Sequence, residues 1–301
     1  MAGFEDATFL ADVRVWIESS IEVTGQIEQV HLKPWSTVLR VPTAGGDVFF
    51  KAAASAFAHD VVVTEALAGL RPDLVLRPLA VDRDRAWMLL PDGGERLREL
   101  FARAPNPRPW YELLPAYADL QLASVLELDA LVAAGLHDLR LESLADLSEW
   151  LAFELGETAP AGIAQVCAEL AAYGIPATIQ HDDLHDGNIF AGDGYRIFDW
   201  GDSVASHPFA SLVVALRGIA YRFDLAVQDP ELERLRDVYL ERFSAFGSVD
   251  ELRRAAELAV PVGMLSRAIS WWRVATVAGE PGEYVEGSRE WFSEFAAAVP
   301  G

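Results

Sequence analysis

Cysteine and long apolar runs are both scarce in this chain of 301 residues. The single cysteine, Cys167, cannot form an intrachain disulfide, and Glu5 and Asp6 stand where a secretory signal would carry positive charge. The most apolar stretch, residues 209–221, is interrupted by Arg217 and is shorter than the roughly 20 residues that cross a bilayer. We therefore expect a cytoplasmic, reducing location and no membrane-spanning segment.

Positive charge is also in short supply, since 24 lysines and arginines face 46 aspartates and glutamates and give a net charge of −22. A surface this acidic repels phosphate backbones and anionic headgroups, so we expect neither nucleic acid nor a membrane as a partner. It could attract a cationic small molecule or simply keep the protein in solution, and both interpretations stay open. Because 51% of the residues are hydrophobic, the chain can bury a core large enough for two lobes.

The pattern of hydrophobic residues changes near Pro91. Before it, short runs rich in β-branched and aromatic residues predict strands at 27–32, 37–41, 48–52, 75–79 and 87–90. The turn at 42–47 joins the second and third strands into a hairpin, and a helical spacing from Val61 to Leu70 predicts one helix among them.

After Pro91 the pattern becomes long and amphipathic. It predicts helices at 95–103, 110–128, 143–155 and 161–173, with four more beyond residue 206. A compact stretch from Thr178 to Gly201 interrupts them. We predict an α+β fold of two lobes, a small antiparallel-sheet lobe over residues 1–91 and a larger, mainly helical lobe over 92–301, with a ligand cleft between them.

Side chains that could act in catalysis or bind a metal are concentrated between residues 181 and 201. Asp183 and Asn188 reproduce the D-x-x-x-x-N spacing of a kinase catalytic loop, in which the aspartate accepts the proton of a hydroxyl and the asparagine holds Mg²⁺. Asp199 then ends a predicted strand in Asp-Trp-Gly, at the position of the kinase aspartate that binds the phosphate-bridging metal. Two oxygen ligands and one free carboxylate are the groups that phosphoryl transfer requires.

Lys51 and Lys33 are the only lysines in a chain that otherwise uses arginine. Lys51 ends the third predicted strand, and Glu65 lies on the helix that follows. A strand lysine paired with a helix glutamate holds the α- and β-phosphates in kinases. Protection of a sheet edge is the alternative role for Lys51.

The strings HDDLHDGNIF and FDWGD resemble the motif of the aminoglycoside phosphotransferase (APH) family, and the order of lysine, glutamate, loop and aspartate resembles its protein-kinase-like fold. The resemblance covers about residues 20–290 and is most specific between 181 and 201. It implies an enzyme that uses ATP and Mg²⁺ to phosphorylate a hydroxyl of a small molecule. The implied roles are catalytic base for Asp183, Mg²⁺ ligands for Asn188 and Asp199, and phosphate clamp for Lys51 with Glu65 as its partner.

Three positions depart from the family pattern. Asp182 stands where the family usually has glycine, which places two carboxylates side by side. The nucleotide loop at 33–37 has no glycine, so Ser36 and Thr37 would have to cover the phosphates with hydroxyls or N–H groups. Pro91 occupies the hinge that should read adenine, and a proline has no N–H to donate.

The acceptor is not specified by the sequence. Candidate acceptor contacts are polar or aromatic side chains beyond residue 201, namely Asp202, His207, Trp271, Trp272, Arg273, Tyr284 and Trp291. An aminoglycoside, an amino alcohol and a sugar are all compatible with the same phosphate machinery. Two other functions stay open, a pseudokinase that binds nucleotide or a partner without turnover, and a hydrolase with a metal held by His181, His185 and the aspartates.

Overall fold

An antiparallel sheet forms the N-terminal lobe. The structure, a computed structural model, describes residues 3–279 and 282–300. The first residue of the lobe predicted over 1–91 and the last residue of the lobe predicted over 92–301 therefore lie outside the described residues. The sheet has five strands in the order β1-β2-β3-β5-β4, formed by Glu28–Lys33 (β1), Ser36–Thr43 (β2), Gly46–Ala53 (β3), Ala80–Asp82 (β4) and Trp87–Pro91 (β5). Every neighbouring pair is antiparallel.

Two helices accompany this sheet, where the sequence predicted one. The predicted helix is present as α2 (His59–Leu70), whereas α1 (Ala7–Ser20) was missed. Asp6 caps α1 by accepting a hydrogen bond from the Thr8 N–H at 2.8 Å. Val13 and Ile17, one turn apart, are buried against the inward-facing apolar side chains of the sheet.

The strand predicted at 75–79 is wrong. Val75 makes an isolated parallel bridge to Ile197, and the residues after it run as a loop until β4 begins at Ala80. Of the apolar residues in this run, Val75 is buried with Leu74 in the core of the helical lobe, whereas Leu79 is 54% exposed. Pro78 also has no N–H with which to extend a ladder.

The rest of the chain is mainly helical. Before the catalytic stretch the helices are α3 (Leu97–Arg103), α4 (Trp110–Ser124), α5 (Leu128–Ala133), α6 (Leu144–Leu155) and α7 (Ile163–Ala171). The single helix predicted over 110–128 thus divides into two. Beyond residue 206 the described residues form five helices rather than four: α8 (Ser211–Phe223), α9 (Pro230–Leu240), α10 (Val249–Leu258), α11 (Val260–Val277) and α12 (Gly282–Ala298).

Two small sheets carry the catalytic stretch. One contains β6 (His137–Asp138), β10 (Val204–Ser206) and β7 (Thr178–Gln180) in that order, and the other is the hairpin of β8 (Ile189–Gly192) and β9 (Gly194–Ile197). The loop after β7 and the turn after β9 therefore emerge beside the cleft, opposite β3. Among the described residues, no helix is long and apolar enough to cross a membrane.

Candidate active site

Asp183 lies in the loop after β7, and three side chains orient its carboxylate. One oxygen accepts a hydrogen bond from Asn188 Nδ2 at 3.1 Å and lies 3.4 Å from His185 Nε2. The other oxygen lies 3.0 Å from Arg267 Nη2. Burial alone would raise the pKa of Asp183, but the charge of Arg267 and the contact with His185 outweigh it and hold this pKa below its ordinary value. The carboxylate is therefore ionised and fixed, as the base that accepts a hydroxyl proton must be.

Both histidines of the motif support the loop. His181 Nε2 lies 2.9 Å from the carbonyl oxygen of Phe198, and its Nδ1 accepts from the Asp183 N–H at 3.3 Å. His185 Nδ1 accepts from the Gly187 N–H at 2.9 Å. Burial lowers the pKa of His181, which keeps that ring neutral. Over residues 3–279 and 282–300, no three His, Cys, Asp or Glu side chains gather as a metal site.

Lys51 links β3 to the catalytic stretch. Its Nζ lies 2.6 Å from Asp60 Oδ2 and 2.6 Å from Asp199 Oδ1. The predicted ion pair with Glu65 is wrong, because Glu65 instead pairs with Arg83 at 2.7 Å near the surface. Asp60 and Glu65 are five residues apart on α2 and so point about 140° away from each other around the helix axis. Only the buried Asp60 faces β3.

Asp60 also fixes the turn that follows β9. Its Oδ1 accepts a hydrogen bond from the Trp200 N–H at 3.1 Å, which ties α2 to the residue after Asp199. Asp199 has a φ of 66°, a left-handed conformation that turns its side chain back toward Lys51. Desolvation within the cleft acts to raise the pKa of Asp199, and the charge and hydrogen bond of Lys51 outweigh it and lower that pKa. Asp199 is thus an anionic carboxylate beside a fixed ammonium group.

The loop between β1 and β2 covers the cavity in a way that the sequence did not reveal. Ser36 lines the cavity as predicted, but Thr37 is fully buried and its hydroxyl donates to the His31 carbonyl at 3.0 Å. The hydroxyl of Thr37 is therefore structural. Trp35, which was not predicted, lines the cavity and packs edge-to-face on Tyr284 of α12 with ring centroids 5.5 Å apart. An aromatic contact takes the place of a flexible glycine loop.

Three of the candidate acceptor residues line the cavity between the lobes, and His207 does not. Asp202, Trp271 and Tyr284 line the cavity that also contains Lys51. His207 is wrong as an acceptor contact, because it is only 1% exposed and accepts a hydrogen bond from the Phe209 N–H at 3.3 Å. Burial lowers the pKa of His207 to about 3, so it is a neutral core residue.

The remaining three candidates have mixed roles. Trp272 packs against the core, as one of the two adjacent tryptophans was expected to do. Arg273 is buried and donates to the carbonyl oxygen of Asp202 at 3.2 Å. Trp291 lines a second cavity and lies under the guanidinium of Arg217, 4.6 Å from its ring centroid.

Arg267 is another residue of the site that sequence reasoning missed. It donates to the Asp182 carbonyl oxygen at 3.2 Å and to Asp202 Oδ2 at 3.3 Å, in addition to its contact with Asp183. Its charge offsets three neighbouring carboxylates. No local motif marks this arginine, since it lies on α11, more than 80 residues beyond the loop that it supports.

Two cavities meet at Asp183. The first, of about 290 Å³, lies between the lobes and is lined by Lys51, Asp199, Ser36 and Tyr284 among others. The second, of about 560 Å³, lies in the helical lobe on the other side of the catalytic loop. The residues that line both are Asp183, Arg267 and Trp271. A donor in the first cavity and an acceptor in the second would therefore share one carboxylate.

A family model for the phosphotransferase enzyme family (APH) matches residues 59–258, which is 200 of the 301 residues. The chain belongs to this family. No curated protein sequence matches the chain. The match contains the catalytic loop and the metal turn but not Lys51.

Solved structures of other phosphotransferases share the fold of this one. An ethanolamine kinase of Plasmodium vivax has a TM-score of 0.65 at 9% identity, over 97% of this chain and 89% of that one. An aminoglycoside 2'-phosphotransferase-IIIa, solved with GDP, has a TM-score of 0.60 at 16% identity, over 97% and 99%. A choline kinase of Streptococcus pneumoniae has a TM-score of 0.59 at 13% identity, over 97% and 99%. The predicted α+β, protein-kinase-like fold of two lobes is confirmed.

Asp182 lies at a position whose backbone conformation favours glycine. The residue has a φ of 60°, a left-handed conformation that costs a side-chain-bearing residue about 1 kcal/mol. Its side chain is buried, and one carboxylate oxygen has no hydrogen-bond partner among the described residues. Burial raises the pKa of Asp182 to about 7. This neighbour of the catalytic base is therefore largely protonated below neutral pH, which limits the repulsion between the two carboxyl groups.

Proposed function

We propose that this phosphotransferase moves the γ-phosphoryl group of ATP, with Mg²⁺, to a hydroxyl of a small molecule. The supporting observation is that Asp183, ionised and held by Arg267 and Asn188, lies where the two cavities meet. The division into a nucleotide lobe over 1–91 and a catalytic and acceptor lobe over 92–301 belongs to the same proposal.

The side chains present suit Mg²⁺. Asn188 uses Nδ2 to donate to Asp183, which leaves its amide oxygen as a ligand atom. Asp199 offers a carboxylate whose side chain is 49% exposed. These hard oxygen donors, completed by phosphate oxygens, are the ligands that Mg²⁺ prefers. When bound, the ion neutralises the phosphates and orients the γ-phosphoryl group.

The remaining steps belong to the protein. Lys51, positioned by Asp60, neutralises phosphate oxygens on the donor side. The acceptor hydroxyl donates its hydrogen bond to the Asp183 carboxylate, which takes the proton as the oxygen attacks the γ-phosphorus. The bond from that phosphorus to the β–γ bridging oxygen breaks, and ADP leaves with the bridging oxygen. Arg267 lines both cavities and so can stabilise the charge of the group in transfer. Trp35 and Tyr284 cover the first cavity and reduce the access of water.

The test is transfer from Mg·ATP to a panel of aminoglycosides, amino alcohols and sugars, read as a product mass increased by one phosphoryl group. Thermal shift with ATP, with and without Mg²⁺, is measured in parallel. We expect a phosphorylated product and a Mg²⁺-dependent shift. Nucleotide binding without any product would favour the pseudokinase, and a shift with Mn²⁺ or Zn²⁺ alone would favour the hydrolase.

A further inference from the structure

The second cavity is lined by more arginines than carboxylates. Four arginines line it, together with only two carboxylates: Arg98, Arg217, Arg222, Arg267, Asp183 and Asp186. In a chain with a net charge of −22, this is a local concentration of cationic side chains. The charges that line a cavity affect which ligands enter it more strongly than the distant surface does.

One carboxylate serves two of these arginines. Asp186 Oδ2 accepts from Arg222 Nε at 2.5 Å, and Asp186 Oδ1 accepts from Arg98 Nε at 3.4 Å. A single negative charge is thus shared by two guanidinium groups. Within the described residues, neither terminal nitrogen of Arg222 makes a hydrogen bond, and the side chain is 27% exposed. The pair has donors and charge left for a ligand.

The arginines are held close to the catalytic loop. Arg98 Nη2 lies 3.3 Å from His185 Nδ1, and the other nitrogen of the same ring lies 3.4 Å from Asp183 Oδ2. Gly187 permits this approach, since a Cβ at that position would collide with the Arg98 guanidinium. One imidazole ring therefore separates the cationic pair from the catalytic carboxylate.

Arg217 and the aromatic side chains complete the wall. Arg217 pairs with Glu294 at 2.6 Å and stacks on Trp291, so its charge is partly neutralised. Arg267 is likewise paired, with Asp183 and Asp202. The positive charge that is left without a carboxylate of its own therefore lies at Arg98 and Arg222, which share Asp186. Tyr221, Trp271 and Trp291 supply flat surfaces on which a ring can lie.

From this arrangement, and resting on the proposed function, we propose that the acceptor is an anionic alcohol. Its carboxylate or phosphate group would bind Arg98 and Arg222 while a hydroxyl reaches Asp183. Planar guanidinium groups bind such anions through paired, charge-assisted hydrogen bonds. This is the opposite of the cationic acceptor that the net charge alone would favour.

The test compares acceptors that share a carbon skeleton and carry a negative, zero or positive charge. Glucuronate, glucose and glucosamine share one ring, and glycerate, glycerol and serinol share one three-carbon skeleton. We expect the acid of each set to have the highest kcat/KM, by about tenfold or more over the amine. Arg222→Gln and Arg98→Gln, on two different helices, should each reduce the preference for the acid by about tenfold. Arg14→Gln removes the same charge from an exposed site on α1 and should leave the preference unchanged.

The outcomes separate this inference from the proposed function. Phosphorylation of glucosamine, serinol or an aminoglycoside in preference to the acids would overturn the anionic acceptor and leave the kinase intact. An acid preference that survives both arginine substitutions would also overturn it. If none of the acids is phosphorylated while Mg·ATP still binds, the anionic acceptor is also overturned. If Mg·ATP does not bind, both proposals fail together.

Discussion

Asp60 positions Lys51 through an ion pair, whereas the sequence predicted that Glu65 would do so. Substitutions of the two acidic residues distinguish these pairings. Asp60→Asn removes a buried partner at 2.6 Å and should lower kcat/KM for ATP by about tenfold or more. Glu65→Gln breaks only a partly exposed pair with Arg83 and should change kcat/KM by less than about twofold. Steady-state kinetics at varied ATP, with thermal unfolding of each variant, checks both. A larger loss for Glu65→Gln than for Asp60→Asn would restore the sequence-based pairing.

Asp182 makes the stability of the protein depend on pH. In the unfolded chain this carboxyl ionises near the ordinary aspartate pKa of 3.8, whereas burial raises its pKa to about 7 in the folded protein. Between these values folding takes up a proton, so the free energy of unfolding falls as the pH rises from about 4 to about 7. Asp182→Asn fits the same left-handed backbone and cannot ionise. We expect it to raise Tm, with an advantage that grows from pH 5 to pH 8 toward a few kcal/mol.

Melting curves of wild type and Asp182→Asn across this pH range provide the measurement. Asp84→Asn, at an exposed turn, is the matched control and should give a difference in Tm that does not vary with pH. An advantage of Asp182→Asn that stays constant or shrinks as the pH rises would contradict the buried, protonated carboxyl.

At the scale of elements, the β1–β2 loop and α12 form one contact across the cleft. Trp35 meets Tyr284 at 5.5 Å between centroids, and Tyr284 meets Trp271 at 6.1 Å. Tyr284→Ala should free the loop and raise KM for ATP about 2- to 10-fold, the range for one aromatic pair. Tyr284→Phe keeps the ring and should behave as wild type in initial-rate measurements. Equal damage from both substitutions would show that the hydroxyl, not the aromatic contact, matters.

The sequence could predict features that lie within a single helix, strand or motif. Asp183, Asn188 and Asp199 could be proposed as site residues because their spacing matches a motif, and most helices could be predicted because they have a strong period. Asp60, Arg267 and the pair of Arg98 and Arg222 were missed, because the partner of a side chain depends on helix rotation and on contacts far apart in sequence. The strand predicted at 75–79 was wrong for a related reason, since Val75 is apolar because it packs into the core and makes only an isolated bridge.

In the whole molecule, two cavities lined by different kinds of side chain meet at the carboxylate of Asp183. Lys51 and Asp199 make the first cavity suitable for a metal-bound triphosphate, and the arginines of the second make it suitable for an anionic acceptor. Net acidity elsewhere does not decide either ligand, because each site is governed by the charges that line it. Asp183 is the residue that both halves of this account require.

The most direct measurement is therefore a comparison of wild type with Asp183→Asn, using the best acceptor of the panel. Transfer of the γ-phosphoryl group is followed in a single turnover, and the affinity for Mg·ATP is measured separately. We predict that the transfer rate falls by a factor of about 10²–10⁴ while the affinity changes by less than about threefold, since a positioned base is lost and the donor site is kept. A transfer rate within about threefold of wild type would contradict the account.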